Sequence, residues 1–199
     1  MSGGWFKASS TSSPEEQEAF LKGLPRACIH EAGHAVAAHE FGKEVLRVGL
    51  KARPNNRPLA SSVIEFMGGT GVLVPGERAP LIRLAGAVAV SINDRGYPEN
   101  LVGRARELKN TLWDMDFADD FSKCMTAAEA EGVDLPNWLA IHAPDLFERL
   151  HACWNAVEKV AGELEVRLRS QASLTNPQVE LSSEQFLELV SDGETPESE

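Results

Sequence analysis

Apolar residues recur three and four apart over most of this chain and alternate only in a short early stretch. That pattern predicts an α+β protein, mainly α, with a small β-sheet. A short helix is expected over Pro14 to Lys22, with Ser13 as its cap and Glu15 and Glu16 in its first turn. A second helix starts near Pro25, which suits a first turn, and closes at Gly42 after Phe41. Ile29, Ala32, Gly33, Val36, Ala37 and Phe41 make it apolar over much of its surface, the signature of a buried helix. Strands are expected at Val45 to Ala52 and Ser61 to Met67, joined through Pro54-Asn55-Asn56. The run Gly68-Gly69-Thr70-Gly71 reads as a loop at the rim of a cleft, since it lacks the GxxxxGK[ST] spacing of a phosphate loop.

Further along, helices are expected over Pro80 to Asn93, Leu112 to Ala130 and Pro144 to Ser170. The last has Leu150, Trp154, Val157, Ala161, Leu164 and Leu168 as its core stripe. Ser182 and Gln185 form a capping box for a short final helix through Val190. The domain reading is a Ser- and Gly-rich flexible tail over 1–13, a folded domain over 14–191 and an acidic, disordered tail over 192–199.

Composition narrows the partners. The 199 residues are 43% hydrophobic and 25% charged, enough for a substantial core. A formal charge of -11 argues against nucleic acid or an anionic membrane surface as a partner. The longest apolar run, Leu84 to Ile92, is far short of a membrane span, and no signal pattern opens the chain. Cys28, Cys124 and Cys153 have no CxxC spacing and read as reduced thiols in a cytoplasmic protein. Cys28, two residues before His30, is rotated away from that residue's face and is expected in the core.

Chemistry enters at His30-Glu31-Ala32-Gly33-His34, an HExxH sequence. Residues four apart on an α-helix lie only about 40° from each other, so both imidazoles can converge on one ion. Neutral imidazole is a natural zinc ligand, and Glu31 can take a proton from a metal-bound water. On a mostly apolar helix such a set would be costly without a partner, and a metal with its water supplies one. His39 points to about the opposite side. The third ligand of the extended HExxHxxGxxH form is absent, because Ala37 and Glu40 stand where its glycine and histidine belong. His142 and His151 each fit a helix without a metal. The acids Asp114, Asp116, Asp119 and Asp120 crowd the start of the fourth expected helix, where acids also serve as dipole partners.

With these residues in view, the sequence resembles the proteolytic domain of the FtsH-like AAA+ metalloprotease family. His30 to Ala37, HEAGHAVA, is similar to the family's zinc-helix motif. Leu84-Ala85-Gly86 with Ala87-Val88-Ala89 is similar to its LAGRAAE segment, without the closing acid. Asp114 is similar to the aspartate of its DLxxAT helix, with Met115, Ala118, Phe121 and Met125 in the following apolar places, and Val179 to Phe186 is similar to its closing segment. The resemblance implies a zincin-like metallopeptidase fold in which His30, His34 and Asp114 bind Zn2+ and Glu31 acts as base, with Asp116 the alternative third ligand. It implies endopeptidase hydrolysis, with an extended polypeptide substrate pairing with an edge strand, either Val45 to Ala52 or Ser61 to Met67.

The family joins this domain to a membrane anchor and an ATP-driven unfoldase, and neither is found in this sequence. ATP-independent cleavage of unfolded polypeptides is therefore expected, alone or with a separate unfoldase partner. The rival expectation is a catalytically silent, protease-like module that binds a protein. Intact Glu31 favours the enzyme, since a structural zinc site has no use for a base.

Overall fold

The computed structural model describes residues 13–54, 64–72, 78–112, 118–172 and 176–191. Within them the chain is α+β and mainly α, with one three-stranded antiparallel sheet. Helix α1 (Pro14–Glu40) is the central element and packs on α2 (Ala79–Arg95), on α6 (Trp154–Arg169) and on the strands β1 (Val45–Pro54) and β2 (Ile64–Val72). Around it lie α3 (Leu101–Leu112), α4 (Ala118–Ala130), α5 (Leu135–Ala152), β3 (Gln178–Ser182) and α7 (Ser183–Ser191).

Helix α1 departs from the expected pair of helices by running unbroken through Pro25. Its start is as expected: Ser13 Oγ accepts from Glu16 N at 3.2 Å, and Glu16 Oε2 accepts from Ser13 N at 2.7 Å. A proline inside a helix removes one backbone bond and costs about 3 kcal/mol. Packing of the turns before Pro25 offsets this. Phe20 and Leu24 are fully buried, and Gly23 lets Phe66 approach so closely that a Cβ there would lie 2.7 Å from its ring. Phe20 and Phe66 stack with ring centroids 5.8 Å apart. The first turns of α1 are thereby tied to the sheet.

The sheet has the order β2-β1-β3. Along β1, Val48, Leu50 and Ala52 are buried toward the helices, while Arg47, Lys51 and Arg53 face outward. Two expectations change here. Gly68 to Gly71 belongs to β2, paired with β1 through Leu50↔Gly68, Gly49↔Gly69 and Val48↔Thr70, and is not a loop. Strand β1 is paired on both sides and offers no free edge over Arg47–Lys51, which leaves β2 as the edge beside α1. Residues 61–63 of the second expected strand, and Asn55 and Asn56, lie outside the described residues.

The expected long helix over Pro144 to Ser170 is two helices. Residue Cys153 leaves the helical conformation (φ -109°, ψ 26°), and its thiol donates to the Arg149 carbonyl at 3.0 Å. Helix α5 begins well before Pro144, at an Asp134 cap whose carboxylate accepts from Asn137 N at 2.9 Å. Residues 101–111, unassigned in the sequence reading, form α3, whose Leu101, Ala105, Leu108 and Leu112 make one stripe. The Ser182/Gln185 capping box is present, with Gln185 N to Ser182 Oγ at 3.3 Å and Ser182 N to Gln185 Oε1 at 3.1 Å. No helix among the described residues is long and apolar enough to cross a membrane.

Candidate metal centre

The centre is built on the middle of α1, where His30, Glu31 and His34 are buried, at 3%, 6% and 4% exposure. Their ligand atoms lie within 4.8 Å of one another, a group that could hold a metal ion. Two glycines make room for it. A Cβ at Gly33 would meet Ala89 Cβ at 2.6 Å and the Ala85 carbonyl oxygen at 2.8 Å, so α2 crosses α1 at backbone contact. A Cβ at Gly86 would lie 2.5 Å from His30 Cε1 and 2.7 Å from His34 Cε1. Helix α2 therefore forms a wall against both imidazoles.

A further carboxylate comes from the first turn of α4. Asp120 is buried, and its Oδ2 lies 2.9 Å from His30 Nε2 and 3.1 Å from His34 Nε2. The two Nε2 atoms are 2.9 Å apart, so the three form a nearly equilateral triangle. Metal–ligand bonds of about 2.0–2.1 Å in a tetrahedral zinc site place ligand atoms roughly 3.3 Å apart. The observed edges fit a slightly contracted face of such a site.

Hydrogen bonds fix the ring orientations. His34 Nδ1 lies 2.7 Å from the Ile82 carbonyl. A carbonyl only accepts, so Nδ1 carries the proton and a neutral His34 turns the lone pair of Nε2 into the triangle. That is the tautomer, with its backbone partner, that a metal-ligating histidine usually shows. Arg83 approaches the other carboxylate oxygen of Asp120, Oδ1, at 3.5 Å, leaving Oδ2 for the triangle.

Three polar atoms this close need a proton or a metal ion among them. In protein atoms alone, a proton on His34 meets that need and both imidazoles pair with Asp120. Burial works against a charged His34, but the Asp120 carboxylate outweighs it and raises the pKa to about 9. Burial and the charge on His34 push His30 down to about 4. For Asp120, burial favours the neutral acid, yet the His34 charge and the hydrogen bonds from both imidazoles hold it far below the usual carboxylate range. The donor set and its spacing also suit a divalent ion such as zinc.

Glu31 stands apart from these pairs. Burial pushes its carboxyl up to about 7, and its Oε2 is buried without a hydrogen-bond partner among the described residues. An unsatisfied buried carboxylate oxygen is costly, and such groups concentrate at functional sites. Gly68 of β2 lies directly against it. Thr70, two residues along β2, lines a pocket of about 220 Å³ together with His34, Val72, Ala79, Ile82 and Arg83.

No protein-family model, curated protein or solved structure matches the chain.

The expected site residues His30, Glu31 and His34 come together. Asp114 and Asp116 lie outside the described residues, and Asp119 is exposed beside Arg83. Asp120, an acid of that cluster not singled out in the sequence, faces both histidines. A weak signal for it exists: Asp120 is followed by apolar Phe121 and, four residues on, by small Cys124, where Asp114 has Met115 and Ala118. Away from the centre, His142 pairs with Glu131 at 3.0 Å, His151 stacks on Tyr97, and exposed His39 sits edge-on to Phe186. Cys28 is core, as expected.

Proposed function

We propose that this chain is a zinc-dependent endopeptidase with a zincin-like fold, hydrolysing peptide bonds in unfolded or extended polypeptides. The observation that carries the reading is the triangle of His30 Nε2, His34 Nε2 and Asp120 Oδ2, with Glu31 beside it, whose Oε2 has no hydrogen-bond partner among the described residues. Three protein ligands plus one open position make the usual catalytic zinc set, and a structural site would close the fourth position. In this reading Asp120 takes the third place.

His30, His34 and Asp120 would hold a zinc ion, which would supply a water of lowered pKa, toward about 7, and polarise the scissile carbonyl. The protein's own residues do the rest. Glu31 takes a proton from the attacking water and passes it to the leaving amine. Burial favours this duty, since a carboxyl raised to about 7 can both accept and return a proton near neutral pH. Among the described residues β2 pairs only with β1, and its other edge offers backbone groups to an extended peptide. Such a cleft takes chain that is already unfolded, so a folded target would need a separate unfoldase. Three free cysteines suit a reducing compartment such as the cytoplasm.

The test is incubation of the zinc-loaded protein with casein, with and without ATP, alongside Glu31→Gln. Cleavage by the wild type, indifferent to ATP and abolished in the variant with zinc retained, supports the proposal. Zinc binding without cleavage under any condition would replace it with a protein-binding module.

A further inference from the structure

We infer that Gly68 is a positioning residue for Glu31: its missing side chain is the space in which the base's carboxylate stands. The inference rests on the hydrolase reading for its consequence and on steric geometry for its substance. Gly68 pairs with Leu50, whose side chain is buried toward the helices, so both occupy the face of the sheet turned to α1. A Cβ built on Gly68 would overlap the carboxyl carbon and Oε1 of Glu31 outright and lie 2.5 Å from its Cγ.

Backbone conformation is not the reason for glycine here. The described glycines with positive φ are Gly42, Gly96 and Gly132, so the backbone at 68 admits alanine. Glycine inside a strand weakens it and marks a close approach by another group, and here the group is Glu31. The neighbouring Gly69 supplies the contrast, since its Cβ would meet nothing within 4 Å. Among the described residues Glu31 Oε2 has no hydrogen bond to hold it, so the walls of the site set its position. Gly68 is the wall on the β2 side. Because Glu31 is a flexible side chain, alanine at 68 displaces the carboxylate and leaves the histidine–aspartate triangle in place.

The experiment compares Gly68→Ala with wild type in the zinc-loaded full chain, and repeats the substitution in a Glu31→Ala background. Zinc stoichiometry should be unchanged, KM should stay within about threefold, and kcat should fall about 100-fold or more, the scale of a lost general base. Gly68→Ala should lower the melting temperature of the wild type and leave that of Glu31→Ala unchanged, because the second background has removed the obstructing carboxylate. An equal loss in both backgrounds, or a kcat equal to wild type, would overturn the inference. If the wild type cuts nothing, the hydrolase reading falls, and the melting comparison alone still decides whether Gly68 makes room for Glu31.

Discussion

Asp120 Oδ2 reaches His30 Nε2 at 2.9 Å across 90 positions of sequence, joining the first turn of α4 to the middle of α1. One carboxylate oxygen serves two imidazoles while Arg83 approaches the other, so Asp120 is oriented from both sides.

Removing that carboxylate should therefore cost the metal. Asp120→Ala should weaken zinc binding by more than the roughly 10–100-fold typical of losing an outer partner of a metal ligand. Asp119→Ala, at an exposed position, should bind nearly as wild type. Competitive titration with a chelating dye checks both. Asp114→Ala belongs in the same series: equal losses at 114 and 120 would argue against Asp120 as the third ligand.

Gly86 should prove nearly as important as the ligands without touching the ion. A methyl group at 86 would press on both imidazole rings, at 2.5 to 2.7 Å from their nearest atoms. Overpacking of this kind costs about 1–3 kcal/mol, and here the strain falls on the groups that define the triangle. Gly86→Ala should lower both the melting temperature and the zinc affinity, read by calorimetry and titration on one preparation. Full zinc affinity in a folded variant would show that α2 is not the wall described.

Gly162 is the opposite case. It lies in the middle of α6, exposed, with nothing within 4 Å of a built Cβ. Gly162→Ala should stabilise the protein by about 0.5–1 kcal/mol, a rise of roughly 1–4 °C for a chain of this size, with zinc binding unchanged. A scanning melt checks it, and the pair separates glycines that make room from glycines that merely weaken a helix.

These glycines also mark how far the sequence could be read. The 3.6-residue periodicity placed His30, Glu31 and His34 on one side of a buried helix, because the spacing is local and helical geometry does the rest. The caps at Ser13 and Ser182 were legible for the same reason. Features decided by distant neighbours were not. Pro25 argued for a helix start, but buried Phe20 and Leu24 and the close approach of Phe66 carry α1 through it. Gly68 to Gly71 has loop composition, yet pairing with β1 makes it a strand, and the reason for Gly68 appears only when Glu31 lies beneath it. Nothing local in the run after Leu150 betrays the break at Cys153, where a thiol bond to Arg149 caps α5. The third ligand depends on tertiary packing as well. Several acids share one helix start, and local register favoured Asp114 over Asp120, whose fourth and seventh followers are Cys124 and Ala127.

The most direct measurement is anomalous X-ray diffraction at the zinc edge from crystals of the zinc-loaded protein. One peak per chain is expected, bonded to His30 Nε2, His34 Nε2 and Asp120 Oδ2, with Glu31 nearby but unbonded. A peak held by other residues, or none at this triangle in a protein saturated with zinc, would contradict this assignment.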